Sequence, residues 1–135
     1  MKTVLMLLVL LTSLIAEPFM LVTNLENPIN SLSKSQIRMI YLKQRRYWKS
    51  LKLVPINLPP DNELRKYFEK NLLRMNHSQL KSYWIKKHYK GIRPPYRVES
   101  VESVVMFVKK VKGAVGYIPP NMVDKDLKVI YEGKE

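Results

Sequence analysis

No cysteine occurs in this chain, so disulfides, thiolate metal sites and cysteine nucleophiles are excluded together. Without disulfides an exported domain must stand on its core alone, which suits a bacterial periplasm better than a harsher extracellular setting. Glycine is scarce at 4 residues, and none is spaced as a phosphate-cradling loop. The two histidines, His77 and His88, have no carboxylate or cysteine beside them at metal-ligand spacing. No serine occupies a nucleophile elbow, and Asp61 with Glu63 reads as a helix start rather than an acid–base couple. The sequence therefore points away from an enzyme and implies no catalytic residue, metal or cofactor. Acidic residues are also few: 11 Asp and Glu stand against 24 Lys and Arg, for a net charge of +13. None lies between Glu26 and Asp61, nor between Glu69 and Glu99. Such a surface attracts anions of many kinds.

What is present begins with a short positive start, Met1-Lys2, and an apolar run from Val4 to Ala16. The run is too short to span a bilayer comfortably and matches a secretory signal over residues 1–16, ahead of a single domain at 17–135. Cleavage after Ala16 leaves Leu14 where a small residue is preferred, so an uncleaved anchor stays open. The expected location is the periplasm, which argues against nucleic acid as a physiological partner. With 135 residues, 46% hydrophobic, the chain can build one small core.

The element that organises the rest is Ser100 to Ile118. Ser100 is a good N-cap and Glu102 suits the helix dipole. Val101, Val104, Val105, Val108 and Val111 recur at helical spacing, Lys109 and Lys110 crowd the last turn, and Gly113 is placed for a left-handed stop. Ala114 to Ile118 then reads as a short buried strand ended by Pro119 and Pro120. Upstream, residues 18–24 form a first strand, and Ser33 with Gln36 fits a capping box opening a helix to about Lys43. Residues 44–50 are a basic, aromatic loop whose Trp48 either stacks on a partner or packs under the helix–strand junction; packing is the expectation. Residues 51–57 read as the second strand, with Pro55 demanding an edge, a bulge or a strand end. Asp61 is expected to cap a helix carrying Leu64, Tyr67, Phe68 and Leu72 inward and ending at Met75. Asn76 and Gln79 can cap another, with Leu80, Tyr83 and Trp84 as its apolar patch. Residues 91–97 form a proline-stiffened loop, and 127–131 a last strand. Trp48, Trp84 and Phe68 are expected to be largely buried.

Several of these phrases occur in a familiar order. Ile37, Ile40-Tyr41 and Trp48 precede a strand, Arg65 and Phe68 form an Arg-x-x-Phe phrase, Trp84 follows, and Ser100 leads a helix into Gly113-Ala114-Val115-Gly116-Tyr117. Over most of residues 18–131 this resembles the phosphate-type periplasmic solute-binding proteins of ABC importers. The resemblance implies an α/β fold: a three-layer single lobe of a type II periplasmic-binding-protein-like fold with a mixed sheet. It also implies a non-enzymatic role related to phosphate transport, with inorganic phosphate or another small anion as ligand. Partners would be an ABC permease or an envelope component, and a second copy of the chain could rebuild a two-lobed cleft as a homodimer.

The family's phosphate loop, Arg-x-Asp-x-Ser-Gly-Thr, falls on Asn57 to Glu63. Asn57 stands where arginine belongs, and Asp61 and Glu63 stand where serine and threonine belong. Carboxylates at a helix start satisfy the dipole themselves and repel an oxyanion, so this motif does not carry over. The candidate ligand residues are instead Ser31 and Ser33 at the first helix start, with Thr23 and Arg38. A rival from another class is a basic periplasmic module that docks on anionic envelope components or an acidic partner protein.

Overall fold

Period-two apolar patterning and local caps build a chain of alternating strands and helices, of which the computed structural model describes residues 19–133. The signal run and its cleavage position lie outside them. Strand β1 (Met20–Asn24) leads through a loop to helix α1 (Lys34–Tyr41), where the capping box forms as expected. Ser33 Oγ accepts from the Gln36 amide at 3.1 Å, and Gln36 Oε1 accepts from the Ser33 amide at 2.9 Å. A two-residue hairpin follows, β2 (Tyr47–Trp48) with β3 (Leu51–Lys52), then β4 (Val54–Asn57). The expected strand over 51–57 is thus divided, its first part pairing locally and only its second part joining the main sheet.

Helix α2 (Glu63–Phe68) runs on into a π-helical turn at Glu69–Leu73, and α3 spans His77–His88. Asp61 is not the cap of α2. Asn62 is, its Oδ1 accepting from the Arg65 amide at 3.0 Å, because the helix starts one residue later. The turn ends at Arg74, in the left-handed region at φ 56°, just before Met75. The Asn76–Gln79 box opens α3 with bonds of 2.8 and 2.9 Å. Strand β5 (Tyr96–Arg97) lies within the stretch expected to be loop. Then come α4 (Val101–Lys110), capped by Ser100, β6 (Ala114–Ile118) and β7 (Leu127–Glu132).

The main sheet has the order β5-β4-β6-β1-β7. β4 pairs in parallel with both β5 and β6, while β1 runs antiparallel to both β6 and β7. It is a mixed sheet in which β1 alone opposes the other strands. Pro55 is tolerated in an inner strand for a local reason. Val54 donates its amide toward β6, to the Gly113 carbonyl at 2.8 Å, so the next residue's nitrogen turns toward β5. β5 pairs only with Ile56 and Asn57, so no ladder bond is lost.

Helices cover both faces, which makes the expected three layers. On one face Tyr41, Phe68 and Tyr117 pack with Phe19; all four are essentially inaccessible to solvent. The Tyr41 hydroxyl sits between the Ile56 and Val115 carbonyls at 2.8 and 3.0 Å, bolting α1 to two strands. On the other face α4 lays Val104 and Val108 over Gly116, where a Cβ would stand 2.6 Å from Val104 Cγ1. Asn24 ties down the far end of α4, its Nδ2 donating to the Val108 carbonyl at 2.9 Å.

Gly113 has a different role from the one its place suggested. It is not left-handed; the helix ends in extended backbone at Val111, φ −115°. Glycine is required there because a Cβ would lie 2.0 Å from the Lys52 carbonyl oxygen. Left-handed backbone occurs instead at Lys43 (φ 61°) and Lys49 (φ 57°), one after α1 and one after Trp48. Phe68 is buried as expected, but Trp48 and Trp84 are only half-buried. Trp48 lies on the short hairpin rather than beneath it, with the Arg45 guanidinium 4.0 Å from its ring centroid.

Candidate functional site

Because β4, β5, β6 and β7 point the same way, their ends define one edge of the sheet, the edge where helix starts gather. The starts of α1, α2 and α4 lie there, α4 following directly from β5 through its Ser100 cap. α2 follows directly from the end of β4. α1 arrives by a longer route: the loop after β1 runs back alongside β7, held by Lys128 Nζ on Asn30 Oδ1 at 3.2 Å and by the Leu32 amide on the Ile130 carbonyl at 2.9 Å.

At the α1 start, Ser33 and Ser31 are both exposed and flank buried Leu32. Of the first four helical amides, Gln36 donates to Ser33 Oγ and Ile37 to the Ser33 carbonyl at 3.0 Å. The Lys34 and Ser35 amides have no such partner, and the Ser33 hydroxyl, an acceptor in the box, keeps its own proton for a ligand. No acidic side chain lies in the first turn of α1. A free pair of amides with a hydroxyl donor and partial positive charge can hold an oxyanion.

The α2 start is built differently. The helix proper is only 6 residues long, and its first turn carries Glu63. Beneath it lies a closed polar network. The Tyr117 hydroxyl donates to Asn57 Oδ1, which also accepts from the Leu58 amide at 3.2 Å. Arg65 grips the Leu58 carbonyl through Nη1 at 2.8 Å and Glu69 through Nε at 2.7 Å. Burial drives the Tyr117 hydroxyl pKa well above its ordinary value, only partly offset by the Leu58 amide beside it. Tyr41 is raised as well, first by burial and then by neighbouring Tyr117. These groups therefore act as neutral hydrogen-bonding posts at ordinary pH. Every member of the network has a partner inside the protein, and two carboxylates front it, so this start offers an anion nothing. Its internal bonding was legible only in part: the Arg65–Glu69 spacing of four is a helical ion-pair signal, whereas Asn57 meeting Tyr117 is a contact sixty residues apart in sequence.

The other two candidates are not brought to Ser31 and Ser33. Thr23 is fully buried near the opposite edge, opposite Val115 in the ladder, and its hydroxyl donates to the Ala114 carbonyl at 2.6 Å. Arg38 lies a turn further along α1, with Nε on the Leu72 carbonyl at 3.2 Å, tying α1 to the π turn. Among the described residues no group of three His, Cys, Asp or Glu could hold a metal ion. No described helix is long and apolar enough to cross a membrane.

No family model matches the sequence, and no curated protein does. Solved structures do match. An ABC-type phosphate transport receptor from Vibrio cholerae superposes with a TM-score of 0.68 at 24% identity, covering 84% of this chain and 45% of that one. A putative phosphate ABC transporter substrate-binding protein from Clostridium perfringens, solved with bound phosphate, gives 0.68 at 19% identity over 84% and 44%. PstS from Borrelia burgdorferi gives 0.66 at 16%, over 84% and 46%. The chain thus spans less than half the length of the proteins it matches. At these identities the likeness establishes the fold: the chain has the architecture of part of a phosphate-type solute-binding protein, as its sequence phrases implied.

Proposed function

Starting from the fold of a phosphate-receptor lobe, we propose that this chain is an exported, non-enzymatic solute-binding-like protein that holds phosphate or a similar small oxyanion. Residues 1–16 serve as the export signal and 17–135 as the binding lobe, acting in the periplasm. The observation that carries this reading is the superposition on phosphate receptors over 84% of the chain, one of them with phosphate bound. The anion sits at the α1 start, on the Ser33 hydroxyl and the Lys34 and Ser35 amides, with Ser31 alongside and Arg38 adding positive field from one turn on. A single lobe supplies half of a cleft, so a second copy of the chain, or an ABC permease, closes the other side.

A calorimetric titration of the mature protein with phosphate at several salt concentrations tests this. Saturable binding that survives added salt is expected, lost in Ser33→Ala and retained in Asp61→Ser. Unchanged affinity in Ser33→Ala removes the site. Binding that never saturates and disappears with salt replaces the receptor reading with a basic docking module.

A further inference from the structure

A second site lies away from the α1 start, in the groove between the π turn and α3, on the outer side of Arg65 and Glu69. One hollow, of about 610 Å3, has Lys66, Lys70 and Arg74 around it and Pro60 and Met75 among its walls. A smaller one, of about 180 Å3, is walled by Leu80 and Trp84 with Arg65 and Lys81. The two share Pro60, Glu69 and His77, so they are two ends of one groove. The combined size is that of a site for a small organic molecule rather than a bare ion.

The two ends differ in chemistry. At the first, Lys70 and Arg74 take part in no ion pair among the described residues, and both side chains are exposed. The only carboxylate in the groove, Glu69, is neutralised by Arg65 at 2.7 Å. Lys66 pairs with exposed Glu63 at 3.2 Å, so the uncompensated positive charge at this end is that of Lys70 and Arg74. At the second end, Leu80 is buried and Trp84 half-buried, leaving an indole face as an apolar lining, which Met75 continues from the wall of the first hollow. The backbone maintains this division. The π turn packs Leu72 and Leu73 into the core while Lys70 borders the groove, and Arg74 is set beside it by left-handed backbone.

We infer that this groove binds a phosphate-bearing amphiphile, its phosphate held by Lys66, Lys70 and Arg74 and its apolar part laid over Met75, Leu80 and Trp84. The chemistry is shared by a phospholipid headgroup region and by free phosphate esters, and the apolar end favours the former. The site is independent of the oxyanion proposed at α1, so Ser33→Ala leaves it intact.

The test uses Trp84 as reporter in a Trp48→Phe background, where it is the remaining tryptophan of the chain. The probes are dihexanoylphosphatidylglycerol below its micelle concentration, glycerol phosphate and inorganic phosphate. Saturable change in Trp84 emission is expected with the short-chain lipid, with affinity reduced about fivefold by each of Lys70→Gln and Arg74→Asn. Lys110→Gln, which removes one exposed charge from α4, leaves it unchanged. Glycerol phosphate and inorganic phosphate bind at least about tenfold more weakly, since they leave the apolar end bare. Equal affinity for inorganic phosphate would overturn the amphiphile; equal loss in Lys110→Gln would reduce the groove to diffuse charge. Absence of any saturable response to the lipid overturns the site.

Discussion

Phe68 and Tyr117 lie face to face, ring centroids 4.1 Å apart and planes within 8° of parallel. The pair joins α2 to the central strand β6, with Phe19 and Tyr41 meeting Phe68 edge-on at 5.6 and 4.8 Å. This aromatic cluster is the main apolar bond between the sheet and the helices of that face.

Phe68→Ala should therefore cost about 3–5 kcal/mol, the range for emptying a buried aromatic site. Trp48→Ala should cost far less, about 1 kcal/mol, since that ring is half-exposed and its clearest partner is the Arg45 guanidinium. Urea unfolding of both variants checks the ordering; equal losses would mean that Trp48 carries core packing the structure does not give it.

Gly116→Ala should destabilise by about 1–3 kcal/mol, because the new methyl group meets Val104 Cγ1 at 2.6 Å inside a filled layer. The obstacle is a side chain rather than backbone, so adding Val104→Ala should recover part of the loss, and a double-mutant cycle measures how much. At Gly113 no such rescue is expected, the obstacle being the Lys52 carbonyl.

Alkaline pH should unfold the protein through its buried tyrosines. Tyr117 and Tyr41 hold their protons in the folded state well past the ordinary tyrosine value. Below the unfolded pKa of about 10 their stabilisation is fully present. Above it the unfolded chain releases protons that the folded one retains, so stability falls as pH rises, by up to about 1.4 kcal/mol per pH unit for each tyrosine. Tyr117→Phe should flatten that slope. Unfolding free energies measured from neutral pH upward check it, and an unchanged slope would contradict the assignment.

Lys49→Gly should stabilise the hairpin by about 1 kcal/mol, since a lysine at φ 57° carries left-handed strain that glycine does not. Gly91→Ala is the converse control. A Cβ there meets nothing within 4 Å, so its cost, about 1 kcal/mol, is that of φ 78° alone. Thermal unfolding of the two variants should move in opposite directions.

What could be read from the sequence was whatever the chain settles within a few residues. The Ser33–Gln36 and Asn76–Gln79 boxes, the Ser100 cap and the strand at 114–118 follow from neighbours in sequence, and the structure places them as expected. Asn62 displaced Asp61 because either side chain can cap and the choice depends on where β4 delivers the chain. β5 escaped notice because Tyr96 and Arg97 are both exposed and carry no alternation; only the edge of β4 makes them a strand. Gly113 and Thr23 were misjudged for the same reason. Each is fixed by a carbonyl distant in sequence, Lys52 for one and Ala114 for the other. At the α1 start the capping residues were legible, whereas the isolation of Thr23 and Arg38 from them depends on the strand order.

The place of β1 between β6 and β7 has a consequence for how the chain comes to fold. Met20 pairs with Ile118 on one side and Glu132 on the other, so β1 finds both of its neighbours far later in the chain. Contacts spanning that much sequence are slow to form, and a nascent chain cannot close its sheet until β7 has emerged from the ribosome. β6 can cover one edge of β1 first, but the other edge stays open until β7 arrives.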